Sequence, residues 1–425
     1  MDDLWVVLPH LGAGGAQKVA LLAADHFASQ GYRVRVLTLT HGHPVAHRLP
    51  PGVEHMDIGP DLLHPWLGDY WNRSLPARGR RFCIAQLIKL RRWVIKGLLW
   101  LLWPWIERRA WPGETGLPLR LLHAGMARIG GHKLLRLREL FVQERPRRVL
   151  ALLTRTNILC CNAAWDLPIH LVVSERNDPS RQKLEGLWAR LRLVHYRRAD
   201  VVTANTEGVL RALQAMGHWR RLELLPNPLP AGVGRGGAIE AVPQQRELLA
   251  VARLVHQKGL DLLIRALASL GGDSTCADWR LVLVGDGPER AALAALAARE
   301  GVADRVLFEG FKSDPVRYMA RASVFVLPSR FEGMPNALLE AMASGLAVVV
   351  SDASPGPLEM VDPGVNGLVV PSEDVEALAD ALGRLMADQA LRERLGAAAR
   401  QRLRSLDWDV VEPHWRSVLA LPALP

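Results

Sequence analysis

The chain opens with a regular exchange of apolar strands and amphipathic helices. Leu4–Leu8 is an uninterrupted apolar run, and a short glycine-containing loop follows it. A helical pattern then places apolar residues every three or four positions from Val19 to Phe27. Residues 33–39 alternate between polar and apolar side chains like a second strand. A strand, helix and strand in this order predict a parallel sheet covered by helices.

The same alternation recurs to the end of the chain, and a stretch rich in Pro and Gly divides it in two. Residues 226–245 have no periodicity and are interpreted as an interdomain linker. The sequence therefore predicts two doubly wound α/β domains, residues 1–225 and residues 246–405. We expect residues 406–425 to form a helix that returns to the first domain. Further strands are predicted at residues 149–153, 169–174, 201–204, 248–251, 281–284, 306–308, 324–327, 347–350 and 368–370.

Composition excludes several other classes of protein. The chain has 425 residues, of which 49% are hydrophobic and 23% charged, a balance typical of globular proteins. Its four cysteines form no CxxC pair, which argues against a disulfide framework or thiolate metal site and fits a reducing compartment. The N-terminal residues lack the basic region of a signal peptide. No apolar run reaches the ~18 residues of a membrane-spanning helix.

Two basic residues follow the first strand of the second domain. Arg253 and Lys258 lie five residues apart at a strand-to-helix turn. A guanidinium and an ammonium group at this place can hold a diphosphate from two sides, although both can also be solvated surface cations. The next strand ends in Gly285-Asp286-Gly287-Pro288, where glycine permits close approach to a ligand or simply forms a tight turn.

Two acidic residues follow the fourth predicted strand of the second domain. Glu332 lies in the loop that leaves this strand, and Glu340 lies on a helix that begins near Asn336. Ionised carboxylates accept paired hydrogen bonds from the hydroxyl groups of a ribose or sugar. A carboxylate near a helix start can also merely complement the helix dipole. In the first domain, Gly14 and Gly15 open a helix whose backbone can approach an anion, but the loop lacks the GxGxxG dinucleotide fingerprint.

Taken in order, these motifs resemble family 4 glycosyltransferases. The resemblance covers most of the chain and is densest over residues 246–370. It implies the GT-B fold, in which two doubly wound Rossmann-like domains face a cleft, and a retaining transfer from a UDP-sugar. It also implies that no metal or other cofactor is needed. In agreement with this expectation, no Asp-x-Asp motif, the usual metal-binding motif of metal-dependent glycosyltransferases, stands at a plausible strand end. The motifs are Gly14-Gly15, Pro226-Asn227-Pro228, Arg253, Lys258-Gly259, Gly285-Asp286-Gly287-Pro288, Phe311, Glu332, Glu340 and Asn366-Gly367.

The resemblance also implies roles for individual residues. Arg253 and Lys258 would hold the donor diphosphate and stabilise the charge that builds on it. Glu332 would face the donor sugar and would act with these two cations in catalysis. Glu340 would bind the ribose hydroxyls. The other donor-binding residues implied are Gly14, Gly15, Gly285, Phe311, Gly333 and Asn336.

A narrower resemblance is to a bacterial subgroup that extends lipid-linked oligosaccharides or exopolysaccharide repeat units. Members often use N-acetylgalactosamine or related sugars, so we expect a polyprenyl-linked glycan as acceptor. Many family members carry a histidine where this chain has Thr154 to Asn157, which puts a catalytic histidine there in doubt. Gln17-Lys18 also replaces the usual acidic-basic pair. The subgroup resemblance is carried by residues 154–157, 173–179 and 354–359. Within them we expect five residues on the acceptor side, namely Thr154, Asn157, Glu175, Arg176 and Asn177.

A basic, Trp-rich segment predicts contact with a membrane. The whole chain has a net charge of +10, but residues 73–148 alone contain 18 Lys and Arg against 4 Asp and Glu. Residues 66–111, an insertion in the first domain, hold seven of the 14 Trp. Trp prefers the membrane interface and Lys and Arg favour anionic headgroups, so residues 87–111 predict a helix lying on the inner face of the cell membrane. Residues 98–105 are wholly apolar apart from the interruption at Pro104. The alternative is a helix packed on the first domain with its cations reaching water.

Other functions remain possible at this level. A GT-B enzyme can hydrolyse or epimerise a sugar nucleotide without a lipid acceptor, and a homologue can bind carbohydrate without catalysis. The four charged candidate residues argue against the second option. Nucleic-acid binding is not expected, because no recognition motif accompanies the basic segment. The histidines His41, His43 and His47 are expected in a solvated loop rather than in a metal site.

Overall fold

The computed structural model describes residues 2–59, 75–113, 116–180, 182, 184, 186–229, 245–272 and 274–423, with only the backbone for residues 75–89, 91 and 92. Most of the predicted linker and residues 66–74 of the predicted insertion therefore lie outside the described residues. The described chain divides into two compact units. The first unit comprises Met1–Ala204, Ala212–Glu223 and Trp415–Pro425, and the second comprises Asn205–Arg211 and Leu224–His414.

The first unit is built on a seven-stranded sheet with the spatial order β3-β2-β1-β4-β5-β6-β7 in the described part of the chain. The central strand β1 is apolar throughout because helices cover both faces of the sheet, and all five of its residues are buried. Each described pairing from β3 to β6 is parallel, as in β1 and β2, where Leu4 is opposite Val34. The strands are β1 (Leu4–Leu8), β2 (Val34–Thr38), β3 (Val53–Asp57), β4 (Arg148–Leu152), β5 (His170–Glu175), β6 (Val201–Ala204) and β7 (Leu222–Leu224).

Helices connect these strands. The longest, α2, extends from Leu75 to Arg109 and contains Pro104 within it. The remaining helices up to β7 are α1 (Gly15–Ser29), α3 (Leu117–Ile129), α4 (Gly131–Glu144), α5 (Thr154–Ala163), α6 (Gly186–His195) and α7 (Glu207–Met216). A final helix, α15 (Trp408–Val418), ends with Trp415 buried in the first unit.

The second unit has a six-stranded parallel sheet with the order β10-β9-β8-β11-β12-β13. Two clusters of buried hydrophobic side chains cover its two faces, as expected for a doubly wound sheet. Its strands are β8 (Glu247–Val251), β9 (Arg280–Val284), β10 (Val306–Gly310), β11 (Val324–Leu327), β12 (Ala347–Ser351) and β13 (Leu368–Val370). Its helices are α8 (Leu260–Ser269), α9 (Arg290–Arg299), α10 (Val316–Arg321), α11 (Asn336–Ala343), α12 (Pro355–Met360), α13 (Val375–Ala387) and α14 (Gln389–Arg402).

The predicted α/β fold class is confirmed, with a Rossmann-like sheet in each unit. The predicted strands are present within one or two residues of their observed ends. Two strands were not predicted, β3 and β7, and both lie at the edges of the first sheet. Neither has the continuous apolar run of a central strand, and β3 carries Glu54, His55 and Asp57 among its five residues.

Candidate functional site

The loops that follow β8 and β11 bring Lys258 and Glu332 together. Gly259 adopts a φ of 63°, and a Cβ atom there would lie 2.0 Å from the carbonyl oxygen of Pro328. Only glycine therefore allows this close contact between the two loops. The Lys258 Nζ atom donates to Glu332 Oε1 although the two residues are 74 positions apart in the sequence.

Two serines complete the surroundings of Glu332. Ser329 Oγ donates to the same Oε1 atom at 2.7 Å, and Ser354 Oγ accepts a hydrogen bond from the Glu332 backbone N–H at 2.6 Å. The Glu332 side chain is largely buried, and the Lys258 side chain is partly exposed. These contacts hold the carboxylate in one orientation beside a cation. Sequence reasoning missed both serines as site residues, although Ser354 lies in the segment 354–359 that carries the subgroup resemblance.

Arg330 joins the same two loops from the side. Its guanidinium group donates to both carboxylate oxygens of Asp261 on α8, and also to the carbonyl oxygen of His256 at 2.7 Å. It forms a further ion pair with Glu373. Arg330 lies two residues before Glu332, and Asp261 lies three residues after Lys258. The pair was not predicted, because spacing alone does not distinguish a structural arginine from a solvated one.

Arg253 lies in the loop after β8 and is exposed. Its side chain forms no ion pair with a carboxylate in the described part of the chain. The predicted glycines of the next loop pack against this segment. A Cβ atom on Gly285 would lie 1.8 Å from the carbonyl oxygen of Ala252, and one on Gly287 would lie 2.3 Å from that of Leu254. Both glycines therefore allow the loop after β9 to support the loop that presents Arg253.

The helix that carries Glu340 is fixed at its start by Asn227. The Asn227 side-chain amide donates to the carbonyl oxygen of Met334 at 3.2 Å and to Asn336 Oδ1 at 2.5 Å. Glu340 is buried one turn further along α11. Asn227 belongs to the Pro226-Asn227-Pro228 motif but was not predicted as a site residue, and the structure makes it a positioning residue.

The remaining donor-side candidates differ in exposure. Phe311 follows β10 and is exposed. Gly333 is buried, and its carbonyl oxygen would lie 1.7 Å from a Cβ atom on Gly356. In the first unit, Gly14 and Gly15 are exposed at the start of α1, whose first turn contains no acidic residue.

In the first unit, three of the predicted acceptor-side residues form one buried network. Thr154 Oγ1 donates to Glu175 Oε2 at 3.0 Å, and the Tyr196 hydroxyl donates to Glu175 Oε1. The Asn157 side-chain amide donates to the same hydroxyl at 2.9 Å. Arg192 lies 3.9 Å from Glu175 Oε1. Burial raises the pKa of Glu175, while Arg192, Tyr196 and Thr154 oppose this shift.

The geometry around this network is constrained. Leu153, which precedes α5, has a φ of 75°, an unfavourable value for a residue with a branched side chain. Strain of this kind persists only where the surroundings fix it, and it is common near functional sites. Arg176 is buried, packs 5.9 Å from the ring centre of Trp415, and has its pKa lowered by burial to about 9. Asn177 is exposed, so it alone of the predicted acceptor-side residues faces solvent.

The Trp-rich helix α2 has one buried and one exposed apolar side. Leu99, Trp103 and Ile106 are buried, and a Cβ atom on Gly125 of α3 would lie 2.7 Å from Leu99 Cδ1, so glycine permits this packing. The opposite side forms an exposed apolar face, in which Trp93 is 72% and Leu101 75% exposed. The exposed apolar face consists of Leu90, Trp93, Val94, Leu98, Trp100, Leu101, Leu102 and Trp105.

Two further features are absent from the described residues, a metal-binding cluster and a membrane-spanning helix. No group of three or more His, Cys, Asp or Glu side chains is placed to hold a metal ion there. Among the helices described, none combines the length and the apolar character needed to cross a bilayer.

Comparisons with known proteins agree with this architecture. Residues 238–402 match the family model described as glycosyl transferases group 1. The chain is 34% identical over 217 residues to the lipopolysaccharide core biosynthesis glycosyltransferase LpsE of Rhizobium meliloti, covering 50% of this chain and 61% of that protein. It is 30% identical over 215 residues to a Campylobacter jejuni protein, covering 50% of this chain and 58% of that one. The latter is named N-acetylgalactosamine-N,N'-diacetylbacillosaminyl-diphospho-undecaprenol 4-alpha-N-acetylgalactosaminyltransferase. The alignments thus span about three fifths of these relatives.

The structure is also similar to solved ones. The crystal structure of Anabaena HepE in complex with UDP and glucose superposes with a TM-score of 0.68 and 18% identity, covering 99% of this chain and all of that one. The fold is therefore GT-B, and the resemblance to GT-B glycosyltransferases of bacteria is confirmed.

Proposed function

For a GT-B chain that contains a group 1 glycosyl transferase domain, we propose the transfer of a sugar from a UDP-sugar to a polyprenyl-diphosphate-linked glycan, with retention of the anomeric configuration. The observation that carries this proposal is the contact between Lys258 and Glu332. This contact brings a cation and an oriented carboxylate together where the strands of the doubly wound sheet of the second unit end, which is where open α/β sheets bind ligands.

The chemistry follows from these charges. A departing UDP gains negative charge as its bond to the sugar breaks, and cations fixed in advance stabilise this charge. Lys258 and the exposed Arg253 supply two such cations. Glu332, oriented by Lys258 and Ser329, would contact the donor sugar, where positive charge develops. Glu340, held on α11, would accept hydrogen bonds from the ribose.

The donor and acceptor are proposed from the relatives. The names of the R. meliloti and C. jejuni proteins refer to lipopolysaccharide core synthesis and to transfer of N-acetylgalactosamine onto a lipid-linked diphosphate. Their match supports N-acetylgalactosamine or a related hexose as the sugar and a lipid-linked glycan as acceptor. It also supports a role in oligosaccharide or polysaccharide biosynthesis.

The exposed apolar face of α2 supports a location on the membrane. Large apolar side chains exposed along one side of a helix are unusual in soluble proteins unless a partner covers them. The cations of residues 87–111 include Lys89, Arg91, Arg92 and Lys96, so the partner that fits is an anionic lipid surface. We therefore place the protein peripherally on the inner face of the cell membrane. A hydrolase or epimerase of soluble sugar nucleotides would have no use for such a face.

A UDP-release assay tests the proposed function. The purified protein is given each of a panel of UDP-sugars, with and without a short-chain polyprenyl-diphosphate-linked sugar. We expect UDP release to depend on the lipid-linked acceptor and the product to keep the donor's anomeric configuration by NMR. Equal release without acceptor would instead identify a hydrolase, and an inverted product would refute the retaining mechanism.

A further inference from the structure

Two histidines of the first unit lie face to face beside the glycine-containing loop. The rings of His10, which follows β1, and His43, in the loop after β2, stack with their centres 4.0 Å apart and their planes within 9°. A Cβ atom on Gly12 would lie 2.6 Å from His43 Cε1 and 2.9 Å from His10 Nδ1. Glycine at position 12 is therefore what lets both rings close over the backbone.

The hydrogen bonds of the two rings fix where their protons are. The Gly12 backbone N–H donates to His10 Nδ1 at 3.0 Å, so Nδ1 carries no proton and the proton of the neutral ring is on Nε2. His43 Nδ1 lies 2.9 Å from the carbonyl oxygen of Pro44, which can only accept, so His43 carries its proton on Nδ1. His10 therefore presents an N–H donor, and His43 Nε2 becomes a second donor when that ring takes up one proton.

The surroundings of the pair are cationic. Lys133 on α4 donates to Thr40 Oγ1 at 2.8 Å in the same loop as His43. Burial lowers the pKa of His10, and the charges of His43 and Lys133 lower it further. Burial and then Lys18 likewise lower the pKa of His47. The acid of this region, Asp57, is already engaged by His41 at 2.8 Å. Imidazoles held among cations are a place where a bound anion relieves repulsion.

We infer that His10, His43 and Lys133 form a binding site for a diphosphate group on the first unit. Phosphate oxygens accept several charge-assisted hydrogen bonds at once, which two adjacent imidazole donors and an ammonium group can supply. The site lies where β1 and β2 end, the edge at which open α/β sheets bind ligands. Its assignment to the diphosphate of the lipid-linked acceptor rests on the proposed function, whereas the anion site itself does not.

Histidine NMR tests the site without requiring activity. Protein labelled in its histidine rings is titrated with pH in the presence and absence of inorganic pyrophosphate, and His10→Asn and His43→Asn assign the two resonances. Asparagine at position 10 can still accept the Gly12 hydrogen bond, so this variant is expected to fold. We expect pyrophosphate to shift both histidine resonances, because the anion accepts hydrogen bonds from these two rings.

Two variants test whether Lys133 belongs to the anion site. Lys133→Met should weaken pyrophosphate binding on the order of tenfold, the loss expected for one hydrogen bond to a charged group. His41→Asn, in the same loop but paired with Asp57, is the matched control and should bind pyrophosphate normally. Unmoved histidine resonances, or an unchanged affinity in Lys133→Met, would overturn the anion site.

Competition separates the two possible sources of the diphosphate. A short-chain polyprenyl-diphosphate-linked sugar should displace pyrophosphate from the histidines, whereas saturating UDP should leave pyrophosphate bound. Displacement by UDP would overturn the assignment to the acceptor. A protein that binds pyrophosphate here yet releases no UDP from any donor would refute the proposed function and retain the anion site.

Discussion

Arg330 binds Asp261 through two parallel hydrogen bonds, each with a nitrogen-to-oxygen distance of 2.9 Å. The fork of a guanidinium group matches a carboxylate in this way and fixes both partners in one plane. Because Arg330 lies in the loop of Glu332 and Asp261 lies on the helix that follows Lys258, the pair sets the distance between the two proposed catalytic groups. A residue that contacts no substrate can thus determine whether the site is assembled.

Replacing Arg330 with Lys should lower turnover, although Arg330 is not one of the proposed catalytic groups. Lysine keeps the charge but cannot form two parallel bonds, so Glu332 and Lys258 lose their fixed spacing. A displacement of about 1 Å can cost on the order of 10² in rate. We expect kcat to fall while the KM for UDP-sugar changes little. Arg246→Lys is the control, because Arg246 and Asp278 form an exposed pair 2.8 Å apart. Equal losses in both variants would contradict a positioning role.

Removing either cation of the diphosphate clamp should slow transfer strongly. Arg253→Ala or Lys258→Ala leaves the charge on the departing UDP less compensated. The expected cost is ~2.7–4 kcal/mol at the transition state, or roughly 10²–10³ in kcat. Lys258→Ala also leaves the carboxylate of Glu332 without its cation, so its effect should be the larger. Arg265→Ala, an exposed arginine on α8, should keep wild-type turnover. Wild-type rates in the first two variants would exclude the clamp.

Substitutions of the two carboxylates, Glu340 and Glu332, should affect different quantities, the nucleotide affinity and the turnover. Glu340→Gln should mainly weaken nucleotide affinity, measured by calorimetry with UDP, because ribose contacts are equal in the ground and transition states. Glu332→Gln should mainly lower kcat, because its carboxylate would lie where the sugar changes charge. If the Glu340 variant bound UDP as tightly as the wild type, the ribose assignment would be wrong.

The sequence allows the repeated elements to be predicted, but not which side chains meet. Continuous apolar runs allow the central strands to be recognised in the sequence. The edge strand Val53–Asp57 is largely polar, and it was therefore missed. The helix of Glu340 and the loop of Glu332 were located correctly. The contact of Lys258 with Glu332 depends on Gly259 allowing two backbones to touch, which no spacing within one segment reveals. The face of α2 that is buried likewise depends on Gly125 of another helix.

His195 should make the first unit sensitive to acid. It is fully buried, accepts a hydrogen bond from Asn162 at 3.0 Å and donates from Nδ1 to the carbonyl oxygen of Leu191. Burial lowers its pKa from 6.5 to about 3. Below pH 6.5 the unfolded chain therefore binds a proton that the folded protein cannot accept. The contribution of His195 to the free energy of unfolding is therefore fully present above pH 6.5. It decreases as the pH drops toward 3, by up to about 1.4 kcal/mol per pH unit.

Denaturant unfolding at several pH values checks this sign. His195→Asn keeps a donor for Leu191 but has no titrating ring, so its unfolding free energy should be lower at neutral pH yet decline less steeply on acidification. His55→Asn, at an exposed position on β3, should keep the wild-type slope. A wild-type slope in the His195 variant would show that this histidine does not drive the acid sensitivity.

The structure changes which tryptophan of α2 can report on membrane binding. Residues 87–111 are predicted to lie on the membrane and include Trp103 as a fluorescence reporter, but Trp103 is only 2% exposed and packs inside the first unit. That part of the prediction is wrong, because Trp103 lies on the same side of α2 as Leu99 and Ile106. Trp93, at 72% exposure, takes its place as a reporter. We expect the fluorescence of Trp93 to shift to the blue with anionic vesicles, and Trp93→Phe to remove most of the change.

Charge reversal on α2 should abolish membrane binding while sparing the donor site. Each Lys or Arg near an anionic surface contributes about 1 kcal/mol, and this attraction is screened beyond ~8 Å at physiological salt. Replacing Arg91, Arg92 and Lys96 with Glu should therefore prevent flotation with anionic vesicles, yet UDP affinity should stay unchanged. Salt should weaken wild-type binding without complete release, because the apolar side chains contribute independently of charge. The control reverses the same number of charges at exposed positions of the second unit, Arg265, Arg280 and Arg299, and should float normally. If the α2 variant floats as well as this control, its three cations do not drive membrane binding. If neither the wild type nor this control floats, the exposed apolar face does not bind an anionic membrane, and the lipid-linked acceptor loses its structural support.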